Sequence, residues 1–310
     1  MHAQSSFLHA CRLQNNTMIQ YQEGVSYVVA LILVSSSIDC QFCHIKPLPS
    51  DPCPKQPCFT LSQFAANISF YIQSDTTTLF FQPGNHYLNS ELRIGNVLSL
   101  RLETSNHSLN TKIICEHSSF FHLYRIPTVH VSRLHFIGCG NSRAETIGQL
   151  SIRDTAFYGQ GMRNQGTVLE LVEITGIIEG SIFQFNVGRN LKNMKVEGSN
   201  WKTEKIQTSH VGGAIVVTHS NITITGNTFK GNSAEVGGAI FCELESNVTI
   251  NNSIFTRNRG YSDNQQCYGG ALYCQGGCKV KIYNSTFNKN MGCTSSVSYT
   301  HLTLPTIYSV

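Results

Sequence analysis

The sequence predicts an all-β solenoid, a single-stranded parallel β-helix in which each repeat forms one coil. The main observation is that residues 211–293 contain three copies of one pattern, a Gly-Gly-Ala group, an alternating stretch and then Phe-x-x-Asn. The first glycines of the copies are Gly212, Gly237 and Gly269, which lie 25 and 32 residues apart. Repetition at this period indicates a solenoid or an array.

The second observation is the period of two inside each copy. Ile222 and Ile224 alternate with Thr223, as a strand with one buried face requires. A unit of about 25 residues that holds two or three such strands has no room for a helix, which excludes leucine-rich, ankyrin and tetratricopeptide arrays. Stacking of the coils about 4.8 Å apart aligns equivalent side chains into internal columns. The predicted columns are Ile215/Ile240/Leu272, Ile222/Val248/Val280, Ile224/Ile250/Ile282 and Phe229/Phe255/Phe287.

The third observation is the recurrence of glycine and asparagine at the predicted corners. Glycine tolerates the positive φ of a sharp turn, and asparagine is the next most tolerant residue. Asn232, Asn258 and Asn290 each follow a repeat phenylalanine by three residues. We therefore expect their side-chain amides to form a hydrogen-bonded ladder along the stack.

The Gly-Gly-Ala-Ile/Leu and Phe-x-x-Asn motifs resemble the repeat of the polymorphic outer membrane proteins of chlamydiae. Those proteins are cell-surface adhesins, so the resemblance implies an adhesive function. It also implies a right-handed parallel β-helix of the pectin-lyase type. The sequence FQFN, at residues 183–186, extends the resemblance upstream, but it lacks a Gly-Gly-Ala partner.

The N-terminal part of the chain is predicted to contain a leader and a cap. Residues 1–37 include the apolar run 25–34, which ends in three serines and is typical of a secretory signal peptide. Residues 38–76 are rich in cysteine and proline and are predicted to form a cap. A short amphipathic helix is expected within this cap, covering the open first coil. Its apolar face would contain Leu61, Phe64, Ala65 and Ile68.

The β-helix is predicted over residues 77–293, with the clear repeats at 211–293. Phenylalanine also recurs at similar intervals upstream of the clear repeats, at Phe136, Phe157 and Phe183. The 46 residues from Phe183 to Phe229 correspond to about two coils, and residues 187–210 within them are predicted to form a projecting loop. Residues 294–310 resemble a translated adapter rather than native sequence. We therefore expect the natural protein to continue past about residue 294, with more coils, a membrane anchor or another domain in the missing part.

Composition indicates an exported protein. Only 13% of the 310 residues are charged, the net charge is +4, and twelve residues are cysteine. Low charge and many cysteines favour an extracellular β-rich chain over a cytosolic enzyme, and they favour disulfides over metal sites. The pairs Cys40-x-x-Cys43 and Cys274-x-x-x-Cys278 lack the spacing of a zinc finger. No metal and no cofactor is predicted.

Cys242 and Cys274 each lie five residues after the first glycine of their repeat, so they occupy one position on consecutive coils. Stacked Cα atoms about 4.8 Å apart are close enough for a disulfide. Cys115 and Cys139 are expected to pair by the same argument. Cys267 and Cys278 are expected to staple a loop, which leaves Cys293 for a partner beyond this sequence.

Six glycosylation sequons follow the predicted leader. Asn221 and Asn247 both stand eight residues before a repeat phenylalanine, so they are expected to lie one above the other. Two full glycans at that spacing would crowd, and we expect partial occupancy of one site. The complete set is Asn67, Asn106, Asn221, Asn247, Asn251 and Asn284.

Parallel β-helices of this type include polysaccharide lyases and glycoside hydrolases, which need clustered acidic residues. The chain has only five aspartates, and they are scattered: Asp39, Asp51, Asp75, Asp154 and Asp263. The three repeats contain no paired carboxylates on a common face. A carbohydrate-active enzyme therefore stays an alternative, and a nucleic-acid partner is not expected because the positive charge is mild.

A binding surface has better support. If Ile215, Ile240 and Leu272 point inward, then Val216, Phe241 and Tyr273 point outward, unless another loop covers them. An exposed aromatic column is suited to stacking on sugar rings or to packing against a protein. A second candidate is the loop with Trp201, Lys202 and Lys205, for which the alternative is a loop without function. The predicted function is adhesion to a cell-surface or matrix glycan or protein.

Overall fold

The computed structural model describes residues 42–52, 58–68, 72, 75–104, 111–115, 119–159, 167–190, 210–261, 267–292 and 301–303. The predicted leader, Cys40, Cys53 and Cys293 lie outside the described residues. The described part is an all-β solenoid with one short helix, and it is organised as a 14-stranded and a 9-stranded sheet. Within it, no helix is long and apolar enough to cross a membrane.

The strands form three parallel stacks, and successive coils add one layer to each stack. The first stack contains β5 (Leu92–Gly95), the first parts of β8 (Phe121–Ser132), β10 (Ser142–Arg153) and β12 (Leu169–Glu179), then β16 (Ile215–Thr218), β20 (Ile240–Glu243) and β24 (Leu272–Cys274). The chain bends inside β8, β10 and β12 at residues with positive φ, namely Arg125, Thr146 and Glu173. Each of these strands therefore lies in the first stack before its bend and in the second stack after it.

The second stack contains β2 (Cys58–Thr60), β1 (Phe42–Lys46), β3 (Thr76–Phe81), β6 (Ser99–Thr104), the second parts of β8, β10 and β12, then β17 (Asn221–Thr225), β21 (Asn247–Asn251) and β25 (Lys279–Tyr283). The third stack is the 9-stranded sheet. It contains β4 (Gly84–Leu88), β7 (Thr111–Cys115), β9 (His135–Ile137), β11 (Ala156–Tyr158), β13 (Ile182–Gln184), β18 (Thr228–Lys230), β22 (Ile254–Thr256), β26 (Thr286–Asn288) and β27 (His301–Thr303). Of these, only β27 pairs antiparallel.

The predicted internal columns are confirmed. Ile215, Ile240 and Leu272 are register partners, and so are the residues of the other three columns. The phenylalanine column is longer than the explicit repeats. From Phe136 through Phe157, Phe183, Phe229 and Phe255 to Phe287, successive ring centroids lie 4.9, 4.8, 4.9, 4.6 and 4.6 Å apart. One column therefore passes through six coils, and the weak upstream rhythm belongs to the same solenoid.

The predicted asparagine ladder is also confirmed. The side-chain amide of Asn232 donates to Oδ1 of Asn258 at 2.9 Å, and Asn258 donates to Asn290 at the same distance. Asn186 extends the ladder upstream, with its amide 2.9 Å from Oδ1 of Asn232. These side chains are buried, so the ladder satisfies polar groups that would otherwise be costly to bury.

A second polar ladder was not predicted. The side chains of Ser181, Asn227, Ser253 and Ser285 each accept from the backbone N–H of the equivalent residue on the preceding coil. Each of these side chains also donates to the carbonyl oxygen of the residue two positions earlier. Serine and asparagine are interchangeable here because both offer one acceptor and one donor. The sequence gives a weaker signal for this ladder, since its residue type changes from coil to coil.

The segment between β13 and β18 forms one coil, through β16 and β17, rather than two. Phe183 and Phe229 are direct register partners although 46 residues separate them, so the estimate of about two coils across this gap is wrong. The described ends of the excursion are β14 (Arg189–Asn190) and β15 (His210–Val211), which pair antiparallel. Its middle, with Trp201, Lys202 and Lys205, lies outside the described residues. A further short pair, β19 (Ser233–Ala234) with β23 (Arg259–Gly260), connects the later corners.

The N-terminal helix α1 spans Leu61–Ala66, directly after β2. Thr60 and Gln63 form a capping box at its start, which satisfies two backbone N–H groups. Leu61 and Phe64 are buried in the main core, while Ala65 and Ile68 are partly buried against it. Within the region predicted as a cap, β1 pairs with β3 and β2 pairs with β1, so both strands continue the second stack.

Candidate binding surface

The predicted aromatic column has the expected register but not the expected exposure. Val216, Phe241 and Tyr273 are partners on β16, β20 and β24. The exposed fraction is only 2% for Val216 and 0% for Phe241, and Tyr273 is half-buried. The prediction that this column forms an exposed contact surface is therefore wrong, and the alternative that another part of the chain covers it is correct.

The cover comes from the Gly-Gly corners. Val211 and Val236 precede the glycine pairs and pack with Val216 and Phe241 in a second apolar cluster, separate from the main core. Gly237 has φ of +63°, and a Cβ on it would overlap the carbonyl oxygen of Ile240. The first glycine of the pair is thus needed so that the corner can fold back onto the outer face of its own strand.

Further toward the N-terminus the same outer column is polar. Arg93, His122, Arg143 and Glu170 are successive register partners on β5, β8, β10 and β12, and Glu170 pairs with Val216. We call the seven positions Arg93, His122, Arg143, Glu170, Val216, Phe241 and Tyr273 the outer column. Its first four members form the polar segment and its last three the apolar segment.

Ion pairs hold the polar segment in one arrangement. Arg143 Nη2 lies 2.8 Å from Oε2 of Glu145, and its Nη1 lies 3.4 Å from Oε1 of Glu170. His122 Nε2 lies 3.1 Å from the other carboxylate oxygen of Glu145. The side chain of Glu170 is only 4% exposed, and Arg143 provides an opposite charge for it.

Tyr124 lies beside this network, at the next outward-facing position of β8 after His122. Its ring lies against Gly95, where a Cβ would overlap the ring carbons. The ring centroids of His122 and Tyr124 are 5.5 Å apart. We call His122, Tyr124, Arg143, Glu145 and Glu170 the polar face. It offers a partly exposed aromatic ring beside hydrogen-bonding groups, which suits a sugar or a polar protein segment.

The polar face contains the carboxylate grouping that the sequence did not reveal. Glu145 and Glu170 share Arg143, although they lie 25 residues apart in the chain. Their alignment depends on coils of unequal length, since Arg143 is 21 residues from His122 and 27 from Glu170. The sequence signal that could have revealed this grouping is the alternation of charged and apolar residues in SRAETIG, the first part of β10. This alternation indicates that the charged side chains point outward.

Glu243 lies on the same side of the first stack but without an arginine. Thr218 and Gln275 donate to its two carboxylate oxygens at 3.3 Å each. Burial raises the pKa of Glu243, and the nearby negative charge of Glu170 also contributes to this rise. Glu243 therefore protonates more readily than an ordinary surface glutamate.

Of the predicted disulfides, Cys115–Cys139 is confirmed, with a Cα–Cα distance of 5.0 Å. It connects neighbouring coils at the ends of β7 and β9. The predicted Cys242–Cys274 bond is not formed, although the two residues are register partners. Their sulfurs lie 3.5 Å apart, and the sulfur of Cys242 is closer to that of Cys278, at 2.7 Å.

The predicted Cys267–Cys278 staple is wrong. Cys267 is disulfide-bonded, whereas Cys278 is a thiol. The physical reason is their placement at different corners. Cys267 precedes the Gly-Gly corner beside Tyr268, which bridges to Val236, while Cys278 precedes β25 and contacts Cys242.

Two sequons have the predicted stacked geometry. Asn221 and Asn247 are register partners at the starts of β17 and β21, and both are exposed. Asn67 and Asn284 are exposed and Asn251 is half-buried, while Asn106 lies outside the described residues. Glycosylation of these sites stays a prediction.

Residues 228–243 match the model of the Chlamydia polymorphic membrane protein (Chlamydia_PMP) repeat. The match begins at β18 and ends at β20, so it covers one Phe-x-x-Asn corner and one Gly-Gly-Ala corner. It supports the resemblance of the repeat. No curated protein and no solved structure shows a significant match to the chain.

Proposed function

We propose that this chain is a non-enzymatic adhesion or ligand-binding module of the cell surface or the extracellular matrix. Its coils would close into a right-handed β-helix of the pectin-lyase type, and its polar face would contact a glycan or a protein. Support for the location comes from the Chlamydia_PMP repeat match and from the Cys115–Cys139 disulfide, since disulfides persist in oxidising compartments.

The observation that carries the proposal is the fixed geometry of the polar face. Its side chains stand on adjacent parallel strands, and Arg143 ties β10 to β12 through Glu170. Groups already held in place lose little conformational entropy when a ligand binds. A regular β stack that presents such a face is suited to binding a repetitive or extended partner.

Two features disfavour the carbohydrate-active enzyme as a description of this face. Acid and base catalysis on a glycosidic bond needs one protonated and one ionised carboxyl group on opposite sides of the bond. Glu145 and Glu170 instead both pair with one guanidinium, that of Arg143, rather than facing each other across an open gap. The partly exposed rings of Tyr124 and His122 beside them favour binding over turnover.

The test compares Tyr124→Ser with Tyr87→Ser in a cell-adhesion and glycan-array assay of the full chain. Tyr87 is an exposed tyrosine on β4, in the third stack, and is the matched control. We expect Tyr124→Ser to weaken binding about tenfold or more, as loss of a central aromatic contact does, and Tyr87→Ser to bind like wild type.

Equal binding by both variants would refute the assignment of the polar face. Depolymerisation of polygalacturonate or a related acidic polysaccharide by the wild-type chain would refute the non-enzymatic proposal. In that case Glu170→Gln would show whether the activity arises from the polar face.

A further inference from the structure

Three cysteine sulfurs meet at one corner of the last two described coils. Cys242 on β20 and Cys274 on β24 are register partners that face inward. Cys278 lies just before β25, where Lys279 pairs with Asn247, so it takes the position that Ser246 holds on the preceding coil. Gly276 and Gly277, both with positive φ, form the turn that brings Cys278 back to this corner.

The cluster is centred on Cys242. Its Sγ lies 2.7 Å from that of Cys278 and 3.5 Å from that of Cys274, and all three sulfurs lie within 4.8 Å of one another. Cys242 is buried, whereas Cys274 and Cys278 are partly exposed. Both partners can therefore reach Cys242, and both can be reached from solvent.

These distances are better suited to sulfur–sulfur chemistry than to a metal ion. Thiolates on a tetrahedral zinc ion stand about 3.8 Å apart, because each bond is about 2.3 Å long. Cys242 and Cys278 are already closer than that, and a disulfide needs them to approach to about 2.05 Å. A neutral disulfide also avoids placing several thiolate charges at a largely apolar corner.

We propose that Cys242, Cys274 and Cys278 form a thiol–disulfide exchange site that reacts with disulfides through Cys274 and then holds a Cys242–Cys278 bond. The substrate class is a low-molecular-weight disulfide, such as glutathione disulfide, or an exposed disulfide of a partner. The site is independent of the polar face, and its chemistry does not require the proposed adhesion.

The reduced cluster has a defined nucleophile. Hydrogen bonding with the side chains of Cys242 and Cys278 lowers the pKa of Cys274 to about 4. The pKa of Cys242 is raised, first by its hydrogen bond to Cys274 and also by burial. At neutral pH the partly exposed Cys274 is therefore the thiolate that attacks first.

The exchange has three steps that balance. The Cys274 thiolate attacks the substrate disulfide RSSR, forms a mixed disulfide and releases RS⁻. Cys242 then gives its proton to the released RS⁻ and attacks the Cys274 sulfur, which forms Cys242–Cys274 and releases the second RS⁻. Finally Cys278 gives its proton to this second RS⁻ and attacks Cys242, which forms Cys242–Cys278 and returns the Cys274 thiolate. The protons of Cys242 and Cys278 end on the two released thiols, so RSSR is reduced to two RSH.

The experiment maps the three cysteines in the purified full chain after reduction and then treatment with glutathione disulfide. Free thiols are alkylated, and peptides are analysed by mass spectrometry without reduction. We expect a Cys242–Cys278 linkage with Cys274 alkylated. Cys278→Ser should stop at a Cys242–Cys274 linkage.

Cys274→Ser should form the Cys242–Cys278 bond at least about tenfold more slowly at pH 7, since it removes the thiolate that attacks first and leaves only protonated thiols. Lys279→Ala, beside Cys278 and exposed, is the control and should react like wild type. Circular dichroism establishes that each variant is folded.

The wild-type map alone can overturn the proposal, even if a variant fails to fold. Three alkylated cysteines after oxidation would exclude exchange. A Cys242–Cys274 bond as the final product would exclude the proposed resting pair. Stoichiometric bound zinc or copper, with all three thiols protected until a chelator is added, would assign the cluster to a metal.

Discussion

The polar and apolar segments of the outer column occupy equivalent strand positions, yet they have opposite chemistry. His122 and Arg143 are partly exposed and held by carboxylates, whereas Val216 and Phe241 are buried under the corners that precede their strands. Gly-Gly-Ala precedes β16, β20 and β24, and no such group precedes β8, β10 or β12. The corner that leads into a strand therefore decides whether the outer face of that strand is a surface or a second core.

Glu170 marks the boundary between the two segments. It has a charged partner, Arg143, on one side and an apolar partner, Val216, on the other, and its side chain is nearly buried. No Gly-Gly pair precedes β12, the strand of Glu170, whereas one precedes the next strand of the stack, β16. The burial of Glu170 thus reflects its neighbour on β16 more than its own sequence.

The largest expected effect is in the apolar segment. Phe241→Ala should lower the free energy of unfolding by about 3 to 5 kcal/mol, because it leaves a cavity between the strand and its corner. Urea denaturation followed by circular dichroism measures the change. Ile254→Ala, at a 47% exposed position of β22, is the control and should stay within about 0.5 kcal/mol of wild type.

An unfolding free energy close to wild type for Phe241→Ala would mean that the corner does not cover this face. The comparison between the two segments would then lose its basis. In that case the aromatic column would again be a candidate contact surface.

A smaller effect is expected in the polar segment. Arg143→Met should cost about 1 to 3 kcal/mol, below the range for a fully buried pair, because Arg143 is 33% exposed. The double variant Arg143→Met with Glu170→Leu should recover much of this loss, since the nearly buried carboxylate of Glu170 is then no longer left without Arg143. Double-mutant-cycle analysis of urea denaturation measures the coupling.

Additive losses in the two single variants would show that Arg143 and Glu170 do not depend on each other. The polar face would then lack the fixed geometry on which its proposed binding role rests. Glu91→Gln, whose carboxylate bonds to the exposed Arg93, is a control for the loss of a surface ion pair.

The smallest expected effect concerns Glu243, the carboxylate without an arginine. Its raised pKa means that the folded state binds a proton more tightly than the unfolded chain does. Its contribution is therefore fully present below the ordinary glutamate pKa of about 4.3 and is lost as pH rises through the raised value. Glu243→Gln should become more stable relative to wild type as pH increases from 4 to 8.

Chemical denaturation at a series of pH values measures this trend. Glu245→Gln, an exposed position two residues further, corrects for the general effect of one fewer negative charge. A constant difference between Glu243→Gln and wild type over this range would contradict the role of burial at Glu243.

The repeated residues by themselves determined the architecture. Residues of one type at one position in every coil, such as Phe229, Phe255 and Phe287 or Asn232, Asn258 and Asn290, can only stack if the coils are in register. Their spacing was therefore sufficient to predict the parallel stacks, the inward columns and the amide ladder. The same stacking argument predicted the Cys115–Cys139 disulfide, although it was wrong for Cys242 and Cys274.

Tertiary structure alone decided which outward positions are exposed and which distant side chains meet. Alternation assigns Phe241 to the outer face, but it does not show that Val236 folds over that face. Nor does it align Glu145 with Glu170, or turn Cys278 toward Cys242. The physical reason is that periodicity describes a residue relative to its own strand, whereas exposure and pairing depend on the corners and on coils of unequal length.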